Sequence, residues 1–478
     1  MLKRILARWK LLLAILILLP LVLLGIAQWM LHRLLTPTSL VSRMEESLNC
    51  RVELTSASAN IWSLPATVSL NGLKLAPRDA DADSGKALDQ RQPLNPKTVV
   101  MTLEQANLQV DLWSLISGNL NIHDLLLKNV NVTSNTTADG TNSLSSLFAK
   151  PATVGGKPNP KLEKEIKIPT VGKPTAPNEG HPFNVRDLPV ASALRGAKVE
   201  GVSIEFKSDQ RKEIFRFENA GLSLNDVQFD PAALGNKNHA TLDLRSKFII
   251  ISKRKLDEIN PATGKQVIER FEQANLGIVL NGSFSPFDPK TGNLAGIPFA
   301  LSLEKDSTLN DVVAIQRISQ KMKRWERYGL YFAPLPDEVV MTETSKVNMV
   351  YEQPKLTVAS DLVLKFDNYE LILRQGSWLD LASNQCKFEI EIIGSKSVSD
   401  QAIKDFTGSL IKKVGEGVGS TLGSKVTQFF TKEKLILPDG RLSVPMGLTG
   451  DIGKPEVEDR VTPILENALL NLIVGGLN

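Results

Sequence analysis

The residues of this 478-residue chain whose types could do chemistry are four histidines, two cysteines, a glycine-rich run and a few paired carboxylates, and their spacing argues against catalysis. A zinc site draws Cys and His from short, paired spacings. Here His32, His123, His181 and His239 are scattered, and Cys50 and Cys386 stand far from them and from each other. The run GEGVGSTLGSK at 415–425 has the glycines of a phosphate-cradling loop, but Ser424 separates Gly423 from Lys425 and no strand feeds directly into it. It therefore lacks the Walker spacing that brings backbone N–H groups and a lysine onto phosphates. No G-x-S-x-G elbow is present. Glu389 and Glu391 share one face of a strand, as the acid pair of a glycosidase could, although a solvated face produces the same pattern. No catalytic residue, metal or cofactor is expected, and the chain does not read as an enzyme.

The elements around these residues begin with LLLAILILLPLVLLGIAQWML at 11–31, an apolar run of the length that a bilayer-spanning helix requires. Lys3, Arg4, Arg8 and Lys10 precede it and only His32 and Arg33 follow closely, so residues 1–10 are expected in the cytoplasm and the remainder on the far side. The run is longer than a usual leader h-region and has no clean A-x-A site, so an anchor is expected rather than a cleaved signal peptide. Cys50 lies well beyond it and Ser47-Leu48-Asn49 is not a lipobox, so a lipoprotein is not expected. A net charge of +4 without a dense Lys/Arg block makes nucleic acid a poor partner. Two cysteines cannot build a disulfide framework, and whether they pair is left open.

From residue 50 onward the pattern is period 2, the mark of strands with one buried and one wet face. Leu108, Val110 and Leu112 alternate in one strand, Leu222 and Leu224 in another, Leu362, Leu364 and Phe366 in a third, and Phe388, Ile390 and Ile392 in a fourth. In NLNIHDLLLKNVNV at 119–132, Leu120 and Ile122 share a face. The phase slips at His123-Asp124 to give Leu125 and Leu127, then slips again to give Val130 and Val132. Each slip exchanges the faces, so bulges or tight turns are expected there. Residues 76–97 and the Pro-, Gly- and Ser-rich stretch 134–186 lack periodicity and read as a loop and a flexible linker, the second being the best domain boundary.

Helices are few. Residues 308–328 place Ile315, Ile318, Met322 and Trp325 on one stripe with Arg317, Lys321 and Arg324 around it. Such a basic amphipathic helix can dock on a sheet with a solvated back. It can also lie on anionic headgroups, in which case Arg317, Lys321, Arg324 and Trp325 are the membrane-surface candidates. Residues 400–430 show helical spacing despite Gly408, Gly415, Gly417, Gly419 and Gly423, and close packing against the protein's own sheet is expected to compensate for them. Asp459 can cap a last apolar helix.

The segments SLVSRMEESLN at 39–49, SLNGLKLAP at 69–77 and ANLQVDLWSLISGNLNIHDLLLKNVNV at 106–132 resemble, in that order, the N-terminal region of the AsmA-like family of bacterial envelope proteins. The stretches 361–392 and 441–458 look like that family's closing strands. The resemblance implies a single-pass inner-membrane protein of a Gram-negative bacterium whose C-terminal part lies in the periplasm. It also implies phospholipids, the inner membrane and other envelope proteins as partners, and a role in outer-membrane assembly and phospholipid movement. The expected fold is mostly β with a few helices: an anchor at 11–31 followed by an elongated, curved antiparallel sheet forming a groove. Along the chain this gives β regions at 38–133, 187–306 and 340–395, a basic helix at 307–330, and at 396–478 a Gly-rich helix, closing strands and a C-terminal helix. Lining the groove would be Leu108, Val110, Leu112, Leu120, Ile122, Leu362, Leu364, Phe366, Phe388, Ile390 and Ile392. The alternative is a non-enzymatic scaffold or assembly factor whose sheet encloses an ordinary core.

Overall fold

The computed structural model describes residues 35–78, 83, 86–111, 120–137, 142–147, 153–154, 157–158, 192–208, 213–230, 233–259, 266–352, 354–414 and 419–474. It is mostly β with a few helices, and among the described residues the strand registers are antiparallel with one long exception, the strand Leu120–Thr136 with the strand Ser192–Ser208. The anchor expected at 11–31, together with Leu112, lies outside the described residues. Among those residues no helix is long and apolar enough to cross a membrane. The chain divides into two compact units, residues 1–242 with 287–294, and residues 243–286 with 295–478.

The first unit opens with helix α1, Pro37–Ser47, whose start is fixed by Pro37 and by the Thr36 hydroxyl accepting from the Ser39 N–H. Strands β1 (Cys50–Glu53) and β2 (Ser56–Asn60) both pair with β3 (Ala66–Pro77), which pairs with β4 (Met101–Val110), and that in turn with β5 (Leu120–Thr136). Next to β5 lies β6 (Ser192–Ser208), paired in parallel over most of its length, and β7 (Glu213–Phe229) returns antiparallel beside it. A parallel neighbour cannot follow a tight turn and needs a long crossover. That is the physical role of the stretch expected to be the principal domain boundary: it lies inside the first unit. Part of it is core, since helix α2, Ser143–Leu147, buries Leu147 completely against β3 and β5 residues.

Both phase slips in 119–132 have structural counterparts. The pairing of β4 with β5 skips a residue between Val110–Ile122 and Gln109–Asp124, which makes His123 the extra one. The second slip falls on Asn129, at φ 52°. Asparagine is among the few residues that tolerate this left-handed region. Neighbouring strands break at the same level, with Gly72 at φ 67° on β3 and Gly201 at φ 66° on β6. A Cβ on Gly201 would collide with the Asn129 side chain, so that position needs glycine. The aligned breaks let apolar residues change parity along each strand yet stay on one side: Leu70, Ala106 and Leu127 before the break and Leu73, Leu103 and Val130 after it belong to one cluster.

The second unit contains part of β8 (Asn238–Ile259), then β9 (Gln266–Phe284), β10 (Ile297–Leu303), β11 (Thr308–Asn310), helix α3 (Val313–Lys323) with a 3-10 turn Arg324–Tyr328, and β12 (Glu338–Val340). It continues through β13 (Ser345–Glu352), β14 (Lys355–Val358), β15 (Leu362–Phe366), β16 (Tyr369–Leu373), β17 (Trp378–Asp380) and β18 (Gln385–Gly394). Helices α4 (Lys396–Val414) and α5 (Gly419–Lys432) follow, then β19 (Ser443–Asp451), β20 (Glu456–Asp459) and α6 (Thr462–Val474).

Two helix expectations need correction. The basic helix starts later than 308, because Thr308–Asn310 pair as a strand with β9 and β12. The segment 400–430 is two helices, not one, packed on each other with Phe406 and Phe430 ring centroids 5.0 Å apart. Gly408 and Gly423 do not serve the expected close packing, since a Cβ built on either meets nothing within 4 Å, while Gly415 and Gly417 lie outside the described residues. Changing Gly408 or Gly423 to Ala should therefore raise the stability of the second unit by up to about 1 kcal/mol, read as a higher urea midpoint at unchanged slope.

Candidate functional site

In the first unit the strand registers place apolar residues in continuous cross-strand rungs. One rung runs Ala57–Leu70–Ala106–Leu127–Val199–Leu222 from β2 to β7. The next runs Ala59–Val68–Leu108–Leu125–Ala197–Leu224. A third joins Ala66, Val110, Ile122, Leu194 and Val227, and beyond the breaks a fourth joins Val52, Leu75, Met101, Val132, Ile204 and Phe217. Alternation along each strand, multiplied by in-register pairing across strands, yields such a surface without any special residue.

Helices α1 and α2 cover the rungs beyond the breaks, where Val41, Val52, Leu75, Val132 and Leu147 are buried together. Leu70, Leu127, Val199 and Leu222 in the first rung, and Val68, Leu108, Leu125 and Leu224 in the second, are only half-buried. The opposite face at the same level is mostly polar, with Ser58, Ser69, Asn107, Lys198 and Ser223 interrupted by the half-buried Leu126 of β5. Of the groove candidates, Leu108, Val110 and Ile122 thus stand on one face of one sheet. Leu120 begins β5.

The candidates of the second unit sit differently. Phe366, Ile390 and Ile392 are buried in a core whose lid is made of helices: Ile315, Ile318, Met322 and Trp325 from α3 and its 3-10 turn, Ala402, Phe406 and Leu410 from α4, Val426 and Phe430 from α5. Leu364 and Phe388 pack against the same cluster. Leu362 is buried in a smaller cluster with Val347, Met349 and Val358, formed from strand residues alone. Its burial follows from the course of the strands: β13, β14, β17, β18, β16 and β15 pair in that order. The segment leading into β15 then returns to β13, with the Ala359 N–H donating to the Asn348 carbonyl at 2.7 Å. Here the expectation of an open groove gives way to an enclosed core.

The membrane-surface candidates divide as well. Arg324 is exposed and Lys321 half-buried, while Arg317 donates to the Pro455 carbonyl at 2.7 Å. Trp325 is a correction: it is fully buried and its indole N–H donates to the Asp459 carboxylate at 3.1 Å. It completes the apolar stripe of α3, and that stripe is docked on the sheet, the first of the two alternatives open to the helix.

Neither the cysteines nor the Glu389–Glu391 pair is poised for the chemistry their types suggest. Burial pushes the Cys50 thiol up to about 11, with Glu45 adding to the effect, and both cysteines are free and buried. Such a thiol is inert toward metals and electrophiles at neutral pH. Glu389 is salt-bridged to Arg460 at 2.5 Å, whose hydrogen bond holds its carboxyl below the ordinary value, and Glu391 pairs with Arg374. A general acid needs the opposite shift. Among the described residues no three His, Cys, Asp or Glu side chains converge as a metal site would require. No family model, no curated protein and no solved structure matches the chain.

Asp459 gathers several hydrogen bonds in the second unit. Burial alone would raise its carboxyl. Hydrogen bonds from the Thr462 side chain and backbone, Trp325 and the Val461 N–H outweigh that and hold it below its ordinary value. It thereby caps α6 and anchors the buried indole in one contact set. A lowered folded-state pKa stabilises at pH above the unfolded value, and the contribution disappears as pH falls through the folded one. The urea midpoint should therefore fall below about pH 4, and Asp459→Asn should flatten that fall while lowering the neutral-pH stability by about 1 kcal/mol, the usual scale of a lost cap. A profile identical to wild type would exclude Asp459 as the titrating group.

Proposed function

We propose that this is a membrane-anchored periplasmic protein of a Gram-negative envelope that holds phospholipid acyl chains on the apolar rungs of its first unit, and that it serves phospholipid movement in support of outer-membrane assembly. The observation that carries the reading is the pair of half-buried rungs, six strands wide and free of charged residues, with a face behind them that is polar except for Leu126. Each methylene withdrawn from water contributes about 0.8 kcal/mol, so an apolar face of this kind retains acyl chains with no catalytic group. The apolar run 11–31 and the resemblance of 39–132 to AsmA-like proteins support the same location and class of partner.

A second reading, a non-enzymatic scaffold with a closed core, is favoured for the second unit by the helices that cover Phe366, Ile390 and Ile392. The two readings coexist if the first unit takes lipid and the second supplies a rigid body for envelope partners. Native mass spectrometry of the full chain released from bacterial membranes tests the lipid reading. Phospholipid at a defined stoichiometry is expected, and a lipid-free folded protein would leave only the scaffold.

A further inference from the structure

The hairpin formed by β2 and β3 has a tip, Ile61–Pro65, that runs against the usual rule for exposed turns. Trp62 is 52% and Leu64 83% exposed, although turns that face water normally carry polar residues. The tip is held in place: the Asn60 carboxamide accepts from the Trp62 N–H at 3.0 Å, and the Ser63 hydroxyl donates to the Asn60 carbonyl at 2.9 Å. Residues 54–73, which include the whole turn and most of both strands, contain no Asp, Glu, Lys or Arg, in a chain that is 23% charged. The polar groups that remain are serine, threonine and asparagine, which headgroups and interfacial water can satisfy.

We propose that this hairpin tip inserts into the interfacial layer of a phospholipid bilayer, with Trp62 and Leu64 as its anchors, and so forms the point at which acyl chains pass onto the rungs; this rests on the lipid reading above. Continuity supports the assignment. Ala59, two residues before the tip, starts the half-buried rung through Val68 and Leu108, and Ala66, the residue after it, starts the rung through Val110 and Ile122, in which Ala66 and Val110 are themselves buried. None of the rung residues nearest the tip is charged, so an acyl chain reaching the half-buried rung from a bilayer would lie on apolar side chains. The absence of charge fits a bilayer and not the rim of a protein interface, where charged and hydrogen-bonding groups set register. An indole with an apolar body and a polar N–H is the side chain that favours the membrane–water boundary.

The test uses the full chain reconstituted into vesicles of phosphatidylcholine, either plain or brominated on its acyl chains, so that any membrane within reach of the tip carries the quencher. Wild type is compared with Trp62→Phe, which keeps an apolar ring but removes that emitter, and the difference isolates Trp62 from the other tryptophans, Trp29 of the apolar run included. Trp62 emission should be largely lost in brominated vesicles. The double variant Trp62→Ser/Leu64→Ser changes only exposed side chains and should keep its melting temperature and its final lipid load. It should take up labelled phospholipid from added vesicles roughly a hundredfold more slowly, the scale set by transferring two large apolar side chains. Trp62 emission insensitive to bromination would overturn the inference in favour of a protein partner at the tip, and an uptake rate equal to wild type would overturn the entry role. A quenched tip on a chain that carries no lipid would keep the docking and refute the rung reading, so the two proposals fail separately.

Discussion

Ile390→Glu is expected to abolish folding of the second unit at neutral pH. Ile390 is 4% exposed, opposite Leu373 of β16 and Met446 of β19. Above that face lie the α3, α4 and α5 residues of the same cluster. The substitution removes about 1.5–3 kcal/mol of apolar burial and places a carboxylate among the apolar side chains of that cluster, a desolvation cost of several kcal/mol more. Together these approach the whole stability of a typical domain, about 5–15 kcal/mol. Loss of the cooperative urea transition and rapid proteolysis of residues 295–478 would be the readout, with Ile390→Val, at about 1 kcal/mol, as the conservative control. A folded Ile390→Glu protein would mean that this face opens to water, and the groove would then extend through the second unit.

That outcome turns on what alternation can and cannot say. The period-2 pattern of KFEIEII identified β18 and the face that carries Phe388, Ile390 and Ile392. It shows that one face is buried, not what buries it. The lid comes from α3 some seventy residues earlier in the chain and from α4 and α5 just after β18, and no local pattern couples them to the strand. Trp325 illustrates the same gap. Its stripe position was legible, but the choice between a sheet and a membrane beneath it depended on Asp459, more than a hundred residues away.

The first unit was more legible because its information is local. Both phase slips were readable from the spacing of Ile122, Leu125, Leu127 and Val130, and the conformations at His123 and Asn129 are what keep those residues on one side. The rungs were not readable, since register depends on turns whose lengths fix pairing only in three dimensions. Val68, Leu70 and Val199 complete them, and their signal in the sequence was ordinary alternation in ATVSLNGL and AKVEGV. The composition of 134–186 resembles a linker and so suggests a boundary, whereas the parallel pairing of β6 on β5 puts the strands on either side of it in one unit.

Leu125→Glu should give the complementary result: a folded protein that no longer carries lipid. Leu125 lies at the centre of the second rung, between Leu108 and Ala197, and is half-buried, so an ionised glutamate there can turn its carboxylate to water. The stability cost should stay within about 1–2 kcal/mol, the part of its apolar burial that is lost. An acyl chain on the rung has no such freedom. It would have to lie across a charge, and either that charge is desolvated or the chain gives up the methylenes that pass it, at about 0.8 kcal/mol each. Losing contact with four methylenes lowers affinity by more than a hundredfold. Native mass spectrometry should show the variant free of phospholipid while its urea midpoint moves little, and Leu125→Met, which keeps volume and polarity, should retain the wild-type load. A folded Leu125→Glu protein with a full complement of lipid would place the lipid elsewhere. The opposite responses of Ile390 and Leu125 to the same substitution then separate a face that is core from a face that is a binding surface, although the two look alike in sequence.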